Sequence, residues 1–275
     1  MVPRVSVVMA TRNDDPGYLA QAIESIEAQS YRNWELIVAD DSTEIATIRL
    51  LESARERLGA ERFRLVHHDP ALGLPRSLNA ALAMVRGELI ARMDGDDVCM
   101  PDRLEAQVAY LDAHPEVGIA GGDIEVVDRD LRHLSVRRYT KDAKRLVRRS
   151  FIRNPLAQPT VMLRSSVLDR IGGYDPKCER AEDYELWLRA IKKSVVLANM
   201  DKILIKYRVL AEYSKKRDKR NWNYSIYGKI KNFNYRYPIS SLLGIGVSLA
   251  FRLAPTSIVN RLYRMDHESP MLYRK

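Results

Sequence analysis

Apolar runs alternate with amphipathic stretches along the first hundred residues of the chain. Between the runs, apolar residues recur every three or four positions, as on one face of a helix, and Leu19, Ala22 and Ile26 are examples. The runs predict buried strands, and they cover about residues 5–10, 34–39, 63–66 and 88–93. Strands that alternate with helices predict βαβ units, and therefore an α/β fold with a doubly wound, mainly parallel sheet flanked by helices.

The pattern changes after the fourth predicted strand. Two strands are expected over residues 119–127 and 131–139, paired antiparallel at the edge of the sheet. A strand over residues 158–163, a helix over 181–192 and a short strand over 195–198 are expected to follow. These elements extend the sheet beyond its parallel half.

Polar clusters follow the predicted strands. In a doubly wound sheet, ligands bind outside the carboxyl ends of the strands, so side chains at those ends are expected to share one site. The clusters are Thr11-Arg12-Asn13, Asp40-Asp41, His67-His68 and Asp94 to Asp97. Four strand ends of similar chemistry predict a polar ligand site along one edge of the sheet.

The last cluster is acidic. Asp94, Asp96 and Asp97 crowd around Gly95 at the end of an apolar strand, where like charges repel. A divalent cation such as Mg²⁺ or Mn²⁺ would remove this repulsion, because it prefers oxygen ligands and is often held by one or two carboxylates plus substrate phosphates. Gly95 allows a tight turn, so that Asp94 and Asp96 can face one centre. The alternative interpretation is a solvated Asp-Gly turn.

Composition narrows the classes of protein. Apolar residues make up 46% and charged residues 29% of 275 residues, which is typical of a folded globular chain. Cys99 and Cys178 are far apart in sequence, so neither a disulfide framework nor a zinc pattern is expected, and a reducing cytoplasm is favoured. We expect no signal peptide and no membrane span, because no run approaches the ~20 apolar residues that a span needs. Dinucleotide and phosphate-loop glycine motifs are absent, which gives hydride transfer and ATP hydrolysis no support.

The net charge of +9 is concentrated near the end of the chain. Residues 201–275 carry 16 lysines and arginines against 5 acidic residues, whereas the rest carries 29 against 31. Aromatic and basic residues interleave over 213–238, and residues 242–264 look amphipathic on either side of Pro255. Such a segment suits the membrane–water interface, so peripheral membrane contact through residues 213–264 is expected. The alternative is that these helices pack on the body of the protein or on a partner chain.

Five separated segments together resemble family 2 of the glycosyltransferases, which has the GT-A fold. The resemblance extends over about residues 5–207, and its specificity lies in the order and spacing of the segments. The segments are VSVVMATRND…AIESIEAQSYRNWELIVADDST, GLPRSLNAAL, ELIARMDGDDVCMPDRLEAQVAYL, NPLAQPTVMLRSSVLDRIGGYD and AEDYELWLR.

The resemblance implies a domain organisation and an activity. It implies a GT-A domain, like those of nucleotide-diphospho-sugar transferases, over residues 1–207, with a nucleotide-binding half (1–100) and an acceptor half (101–207). A basic, amphipathic helical extension would follow over residues 208–275. The implied activity is inverting transfer of a sugar from a nucleotide-sugar donor, with Mn²⁺ or Mg²⁺.

The resemblance also implies roles for donor-binding residues. Thr11 and Arg12 would lie beside the nucleotide base, and Asp40 or Asp41 would accept hydrogen bonds from the base or ribose. Arg76 belongs to a segment that faces the nucleotide in the family. The turn after Asp41 lacks the glycine that is usual there, so which of the two aspartates reaches the base is left open.

Metal and catalytic roles are implied at two other places. Asp94 and Asp96 match the DXD pair that contacts ribose and metal, and Asp97 would support them. Asp183, in the Glu182-Asp183 pair, matches the catalytic base, with Glu182 as its supporting neighbour. A structural alternative for this pair is stabilisation of a helix N-terminus by negative charge.

Two further departures from the family pattern are visible. Gln158 stands where many relatives have histidine, so no role is assigned to it. The glutamine-and-arginine-tryptophan motif of processive enzymes is missing, and together with the lack of a membrane span this favours addition of a single sugar over polymer synthesis. UDP is the expected nucleotide, with GDP and dTDP open, and the expected acceptor is a glycan or lipid-linked saccharide of cell-surface polysaccharide synthesis.

Two alternative functions stay open at this point. A nucleotidyltransferase that makes sugar nucleotides shares the sheet and the metal site, but it usually has a glycine-rich basic loop where this chain has Thr11-Arg12-Asn13. A non-catalytic protein that binds nucleic acid or membrane through the basic tail would leave the carboxylates of the body unexplained. No nucleic-acid partner is therefore expected, and the protein is expected in the cytoplasm, peripheral on the cytoplasmic face of the membrane.

Overall fold

The alternation of strands and helices predicted for the first half is observed. The computed structural model describes residues 2–209 and 220–254, and the structural statements below concern these residues. In chain order the elements are β1 (Val5–Thr11), α1 (Pro16–Glu27), β2 (Trp34–Asp40), α2 (Ile45–Leu58), β3 (Phe63–His67), α3 (Leu74–Leu82), β4 (Leu89–Arg92), β5 (Val98–Cys99), α4 (Arg103–Ala113), β6 (Val117–Val127), β7 (His133–Arg137), α5 (Ala143–Ser150), a 3₁₀ turn (Gln158–Thr160), β8 (Met162–Arg164), α6 (Ser165–Ile171), α7 (Glu182–Lys192), β9 (Val196–Arg208), α8 (Arg220–Lys231) and α9 (Pro238–Leu253).

The described strands form one mixed sheet. Their order is β3-β2-β1-β4-β8-β6-β9-β5, and β7 pairs with β6. Strands β1 to β4 run parallel, so their carboxyl ends lie along one edge. In the other half β6 and β9 are parallel, whereas β8 is antiparallel to both β4 and β6. The predicted α/β fold with helices around a doubly wound sheet is confirmed, and its all-parallel part is the N-terminal half.

Both faces of the sheet are covered. Val7 and Met9 of β1 belong to one apolar core together with Ile23 of α1. Val8, between them, belongs to a second core together with Leu78 of α3. Because successive side chains of a strand point to opposite faces, a strand that is apolar throughout needs helices on both sides of the sheet.

Local signals determine where the helices begin near the candidate site. Asp15 Oδ1 accepts hydrogen bonds from the N–H groups of Gly17 (2.8 Å) and Tyr18 (3.1 Å) at the start of α1. Pro16 occupies the first helical position, where its missing N–H costs nothing. Asp142 caps α5 in the same way. The capped start of α1 fixes the loop that carries the first polar cluster.

Two strand predictions in the second half are only partly right. The antiparallel pairing expected for residues 119–127 and 131–139 is observed between β6 and β7, and β7 is an outer strand, but β6 lies inside the sheet between β8 and β9. Almost every residue of β6 is buried, as an internal strand requires. The strand expected over 158–163 begins only at Met162, because Pro159 lacks the N–H that a ladder needs and lies in a 3₁₀ turn.

The strand expected over residues 195–198 is much longer in the structure. β9 has 13 residues and ends at Arg208, which brings that residue to the edge that carries the acidic turn. Exposed Asp201 and partly buried Lys202 separate the apolar start of β9 from the apolar run over residues 203–205. The hydropathy pattern therefore does not join the two halves into one strand.

Helices α8 and α9 pack against the body. Asn232, after α8, donates a hydrogen bond from Nδ2 to Glu185 Oε1 of α7 (3.0 Å), and Lys231 pairs with the same carboxylate (3.1 Å). In the described ranges no helix is both long and apolar enough to cross a membrane. The expected extension (208–275) and membrane-contact segment (213–264) lie partly outside the described residues, and the division of the chain into domains stays a prediction.

Candidate active site

The loops after β1 and β2 are tied together at the carboxyl edge of the sheet. The N–H of Asp41 donates to the backbone oxygen of Thr11 (2.9 Å). Asn13 donates its N–H to Ser42 Oγ (2.8 Å) and accepts a hydrogen bond at Oδ1 from the N–H of Thr43 (2.8 Å). The first two polar clusters therefore form one surface, as the parallel pairing of β1 and β2 predicts.

Asp40 is buried at the end of β2. Its Oδ2 lies 2.8 Å from His67 Nδ1, and its Oδ1 accepts a hydrogen bond from the N–H of Ser42 (2.9 Å). The residue thus holds the turn after β2 and links it to the end of β3.

Asp41 is also buried, with contacts to the next helix. Its Oδ1 lies 3.0 Å from His68 Nδ1, and its Oδ2 accepts a hydrogen bond from the N–H of Gly73 (2.7 Å). Burial alone would raise the pKa of Asp41, but hydrogen bonds from Ser77, Gly73 and His68 outweigh it and lower that pKa. Asp41 is therefore a fixed, charged acceptor that connects β2 with the start of α3.

The two basic residues of the expected donor site are exposed. Arg12 lies in the loop after β1, and Arg76 lies in the first turn of α3. Gly73 precedes this helix with a φ of 84°, a conformation that favours glycine. Both guanidinium groups are accessible at the edge where a negatively charged nucleotide would approach.

Gly95 makes the acidic turn compact. A Cβ atom at this position would lie 2.5 Å from Asp14 Oδ2, so any other residue would displace the carboxylate of Asp14. Burial raises the pKa of Asp14 to about 6, and the charges of Asp96 and Asp94 add to the effect. Sequence reasoning missed Asp14, which lies next to the first polar cluster and faces the acidic turn only because β1 and β4 are neighbours.

A buried arginine lies beneath Asp94. Arg92, at the end of β4, donates from Nη2 to Asp94 Oδ1 over 2.5 Å. Although burial opposes its charge, the negative charge of Asp94 outweighs this effect and raises the pKa of Arg92. Arg92 was not among the predicted residues, although a charged residue inside a buried strand is itself a signal of an ion pair.

Asp97 and Arg208 join the acidic turn to the end of β9. Asp97 Oδ1 accepts a hydrogen bond from the N–H of Arg208 (2.9 Å), and Arg208 Nε donates to the backbone oxygen of Asp96 (2.9 Å). The guanidinium also donates to Gln21 Oε1 (2.7 Å) and stacks over the ring of Tyr18 at 4.0 Å. Burial and the charge of Asp96 raise the pKa of Asp97 well above its usual range. Asp97 thus holds the acidic turn through Arg208, which is the third residue, after Asp14 and Arg92, that the sequence analysis missed.

The predicted catalytic carboxylate lies at the start of α7. Asn154 donates a hydrogen bond from Nδ2 to Asp183 Oδ2. Burial raises the pKa of Asp183, this hydrogen bond counteracts the rise, and the charges of Asp94 and Arg92 also act on it. Asp183 is connected to the acidic turn through Asn154, which lies shortly before β8, the strand that pairs with β4. Nothing in the sequence pattern around Asn154 pointed to its contact.

Glu182 is more deeply buried than Asp183. Burial, together with the neighbouring charge of Asp183, raises the pKa of Glu182 to about 8. Burial therefore favours the neutral form of Glu182, and the charge of Asp183 adds to this effect. Neighbouring carboxyl groups whose environments differ are an arrangement that active sites use to separate acid and base roles.

The oxygen ligands at this edge fit a divalent metal that arrives with its substrate. Within residues 2–209 and 220–254, no three histidine, cysteine or acidic residues converge as a complete metal site. Asp94 and Asp96 offer hard carboxylate oxygens, and Asp97 Oδ2 is buried without a hydrogen-bond partner among the described residues. One or two carboxylates completed by substrate phosphates are a usual set for Mg²⁺, so the residues fit such an ion.

Solved structures define the class of protein. The S. aureus TarS fragment 1–349 in complex with UDP-GlcNAc gives a TM-score of 0.70 at 18% identity over 92% of this chain and 74% of that one. This chain spans 44% of the longer TarS chain. The mannosyltransferase PcManGT from Pyrobaculum calidifontis, in complex with GDP-Man and Mn²⁺, gives 0.66 at 17% identity over 97% and 80% of the two chains. The fold is therefore the GT-A fold, as the resemblance implied.

The sequence identifies the family within that class. The model of Glycosyl transferase family 2 matches residues 6–172, so the chain belongs to this family and is a glycosyltransferase. EpsE of Bacillus subtilis, described as a glycosyltransferase, is 31% identical over 95% of this chain and 94% of its own. The amylovoran biosynthesis glycosyltransferase AmsE of Erwinia amylovora is 27% identical over 96% and 99% of the chains. The UDP-Gal:alpha-D-GlcNAc-diphosphoundecaprenol beta-1,3-galactosyltransferase of Escherichia coli is 25% identical over 95% and 96%.

Proposed function

We propose that this glycosyltransferase moves a single sugar, with inversion, from a UDP-sugar to a glycan or lipid-linked saccharide in cell-surface polysaccharide biosynthesis. Mn²⁺ or Mg²⁺ is the proposed cofactor, and Asp183 is the proposed catalytic base. The proposed location is the cytoplasm, with contact to the membrane surface.

One observation carries the proposal. Asp183 and Asp94 come from distant parts of the sequence, yet the sheet brings their surroundings together. Asn154, which binds Asp183, lies shortly before β8, and β8 pairs with β4, the strand that precedes Asp94. A base close to the acidic turn is the arrangement that sugar transfer needs, because the acceptor must attack the sugar beside the diphosphate that leaves.

The reaction requires one proton to move. As the acceptor oxygen bonds to C1 of the donor sugar, the bond between C1 and the diphosphate breaks, and the acceptor hydroxyl loses its proton to Asp183. A carboxylate at hydrogen-bond distance typically contributes about 10²–10⁴-fold to such a rate. A single displacement without a covalent intermediate inverts the configuration at C1. Asn154 would keep the Asp183 carboxylate pointed at the acceptor.

The donor would bind along the carboxyl edge of the sheet. Asp94 and Asp96 would hold the metal, with Asp94 also close to the ribose, and a bound metal offsets the negative charge of the departing diphosphate. Asp97 would support the turn through Arg208. The nucleotide would lie against the residues of the first strand ends and of α3, which are Thr11, Arg12, Asp40, Asp41 and Arg76.

Relatives support the substrate classes in the proposal. The TarS and PcManGT structures contain a UDP-sugar and a GDP-sugar, the latter with Mn²⁺. The Escherichia coli relative is named for a UDP-Gal donor and a diphosphoundecaprenol-linked acceptor, and AmsE is named for amylovoran biosynthesis. The UDP-sugar and the lipid-linked acceptor are therefore the first substrates to test.

A donor screen tests the function. The chain is incubated with Mn²⁺ and a panel of UDP-, GDP- and dTDP-sugars, with lipid-linked and free saccharide acceptors, and the released nucleotide is measured. We expect release of UDP that depends on acceptor and stops with EDTA. Asp183→Asn should keep UDP–Mn²⁺ binding and lose turnover, and Asp169→Asn, an exposed aspartate of α6, is the control.

Three results would contradict parts of the proposal. Near-normal turnover of Asp183→Asn would remove this residue from the mechanism. Activity that persists in EDTA would mean that Asp94 and Asp96 form only a turn. Release of pyrophosphate instead of a nucleoside diphosphate would identify a nucleotidyltransferase.

A further inference from the structure

The face of helix α9 that packs against the rest of the protein consists of small residues. Ser241, Gly244 and Ser248 lie on one face of the helix and are buried. A Cβ atom on Gly244 would lie 1.9 Å from the backbone oxygen of Phe151, so the two backbones are in direct contact. Lys229 of α8 donates from Nζ to Gly244 O (2.9 Å) and Ser248 Oγ (2.6 Å). The inner face of α9 is therefore small and polar, the reverse of an ordinary surface helix.

The large apolar residues of α9 point away from the protein. Ile239 is 80% exposed, Leu242 62% and Leu253 78%. Together with Leu243 and Leu249, which are also exposed, they recur at helical intervals and form one stripe, called here the outer face of α9. A contiguous exposed apolar stripe marks an interaction site, whereas scattered exposed residues need no explanation.

The charge around the stripe indicates what covers it. Arg236 and Tyr235 are exposed before α9, and Arg252 is exposed at its end. The sequence from 201 to 275 carries 16 basic and 5 acidic residues. An apolar face with cationic flanks is typical of a helix that lies in the plane of an anionic membrane. A second copy of the chain would bring two positively charged tails together, which opposes self-association through this face.

We propose that the outer face of α9 inserts into the interface of a membrane that contains anionic lipids, with Arg236 and Arg252 on the headgroups. The lipid-linked acceptor in the proposed function gives this docking its purpose, but the docking is measured without sugar transfer. The proposal narrows the membrane contact expected from residues 213–264 to one helix face.

One short segment connects the docked helix to the candidate base. Gly244 of α9 contacts Phe151, and Asn154, three residues after Phe151, hydrogen-bonds to Asp183. Docking through α9 would therefore bring the part of the protein that carries Asp183 close to the membrane surface, where the saccharide of a lipid-linked acceptor is located.

Vesicle flotation of the full chain tests the docking. The vesicles contain either phosphatidylglycerol with phosphatidylcholine or phosphatidylcholine alone. The variant Leu242→Glu/Leu253→Glu is compared with Ile45→Glu/Leu134→Glu, which adds the same charge at apolar residues that are 64% and 57% exposed elsewhere. We expect the wild type and the control to float with the anionic vesicles, and the α9 variant to partition at least about tenfold more weakly, because each buried leucine contributes on that scale. Higher salt should weaken binding of the wild type.

Several outcomes would overturn the docking. These are a wild type that stays unbound, an α9 variant that floats like the wild type, and a control that loses binding equally. If sedimentation velocity shows a wild-type dimer that the α9 variant disrupts without lipid, the face binds a second copy instead. Circular dichroism checks that both variants are folded. Transfer of sugar to a water-soluble acceptor should be the same in the wild type and both variants. This measurement therefore distinguishes a loss of membrane docking from a loss of the proposed activity.

Discussion

Asn154 donates a hydrogen bond from its side-chain amide to the carboxylate of Asp183, across 29 positions of sequence. The contact links the segment after α5 to the first turn of α7. It opposes the rise in the pKa of Asp183 that burial causes, so Asn154 affects both the orientation and the protonation of the candidate base.

Replacing Asn154 should therefore change the pH profile of sugar transfer. In Asn154→Ala the pKa of Asp183 rises further, because burial is no longer opposed by this hydrogen bond. We expect the acidic limb of the kcat/KM profile to move to higher pH by about one to two units, since a hydrogen bond to a charged group is worth about 1.5–3 kcal/mol. Steady-state rates measured from acidic to mildly alkaline pH would show the shift, because the pKa of Asp183 is already above its ordinary value in the wild type.

A control separates this effect from a loss of folding. Asn79, which binds the backbone of Tyr174 through its side chain, offers a matched replacement by alanine. Asn79→Ala should leave the acidic limb where it is. If Asn154→Ala lowers kcat equally at all pH values, Asn154 does not tune the base.

Arg208 should control the metal requirement. Its guanidinium holds the backbone oxygen of Asp96, and lysine cannot reproduce the additional contacts with Gln21 and Tyr18. In Arg208→Lys we expect the Mn²⁺ concentration for half-maximal activity to rise about 10–100-fold, as for other residues that orient metal ligands. With saturating Mn²⁺, kcat should return toward the wild-type value.

Arg164→Lys is the matched control, because Arg164 also donates to two backbone oxygens, those of Val117 and Leu111. It should leave the metal requirement unchanged. A Mn²⁺ titration of both variants measures the concentration for half-maximal activity. If Arg208→Lys keeps the wild-type value and only kcat falls, Arg208 does not position Asp96 for the metal.

Residues of the candidate site that are neighbours in sequence could be predicted. Residues that approach the site from distant parts of the chain could not. Asp94, Asp96 and Asp97 are neighbours in sequence, so their crowding is visible without a structure. Arg208 approaches Asp97 across 111 positions, and it reaches there only because β9 continues beyond its apolar start. Asn154 has no periodic or compositional signal at all.

The same reasoning applies to the fold. The parallel half follows from apolar runs that are buried on both faces, which periodicity detects well. Exposed Asp201 and partly buried Lys202 interrupt the apolar pattern of β9, and Pro159 interrupts an apolar stretch, so the bounds of both strands were predicted incorrectly. The amphipathic character of the tail was visible, but which face of α9 packs inward depends on the contact between Gly244 and Phe151.

Two glycines of α9 should respond oppositely to the same substitution. Gly244→Ala places a methyl group against the backbone oxygen of Phe151, so α9 must shift and the free energy of unfolding should fall. Nothing lies within 4 Å of a Cβ atom on Gly246. Gly246→Ala should therefore stabilise the protein by up to about 1 kcal/mol through helix propensity. Thermal unfolding of the two variants gives the comparison, and equal Tm values would mean that α9 is not packed on Phe151 in solution.

The buried lysine of α8 should give the protein a characteristic dependence of stability on pH. Burial lowers the pKa of Lys229 to about 8, from 10.5 for the free side chain. Between these values the unfolded chain holds a proton that the folded protein has lost, so the free energy of unfolding rises with pH over this window. Below about pH 8 both states are protonated, and the full cost of the buried charge is present.

Replacing Lys229 by methionine should remove this dependence. We expect the wild type to gain stability relative to Lys229→Met as the pH rises from about 8 to about 10, by at most about 3 kcal/mol, since one pKa unit corresponds to 1.36 kcal/mol. Urea unfolding at several pH values measures the difference, and tyrosines and other lysines, common to both proteins, largely cancel. Lys192→Met, at an exposed position of α7, should behave like the wild type. If the difference between the wild type and Lys229→Met is constant over this range, Lys229 is protonated throughout, and its charge is balanced in the folded protein.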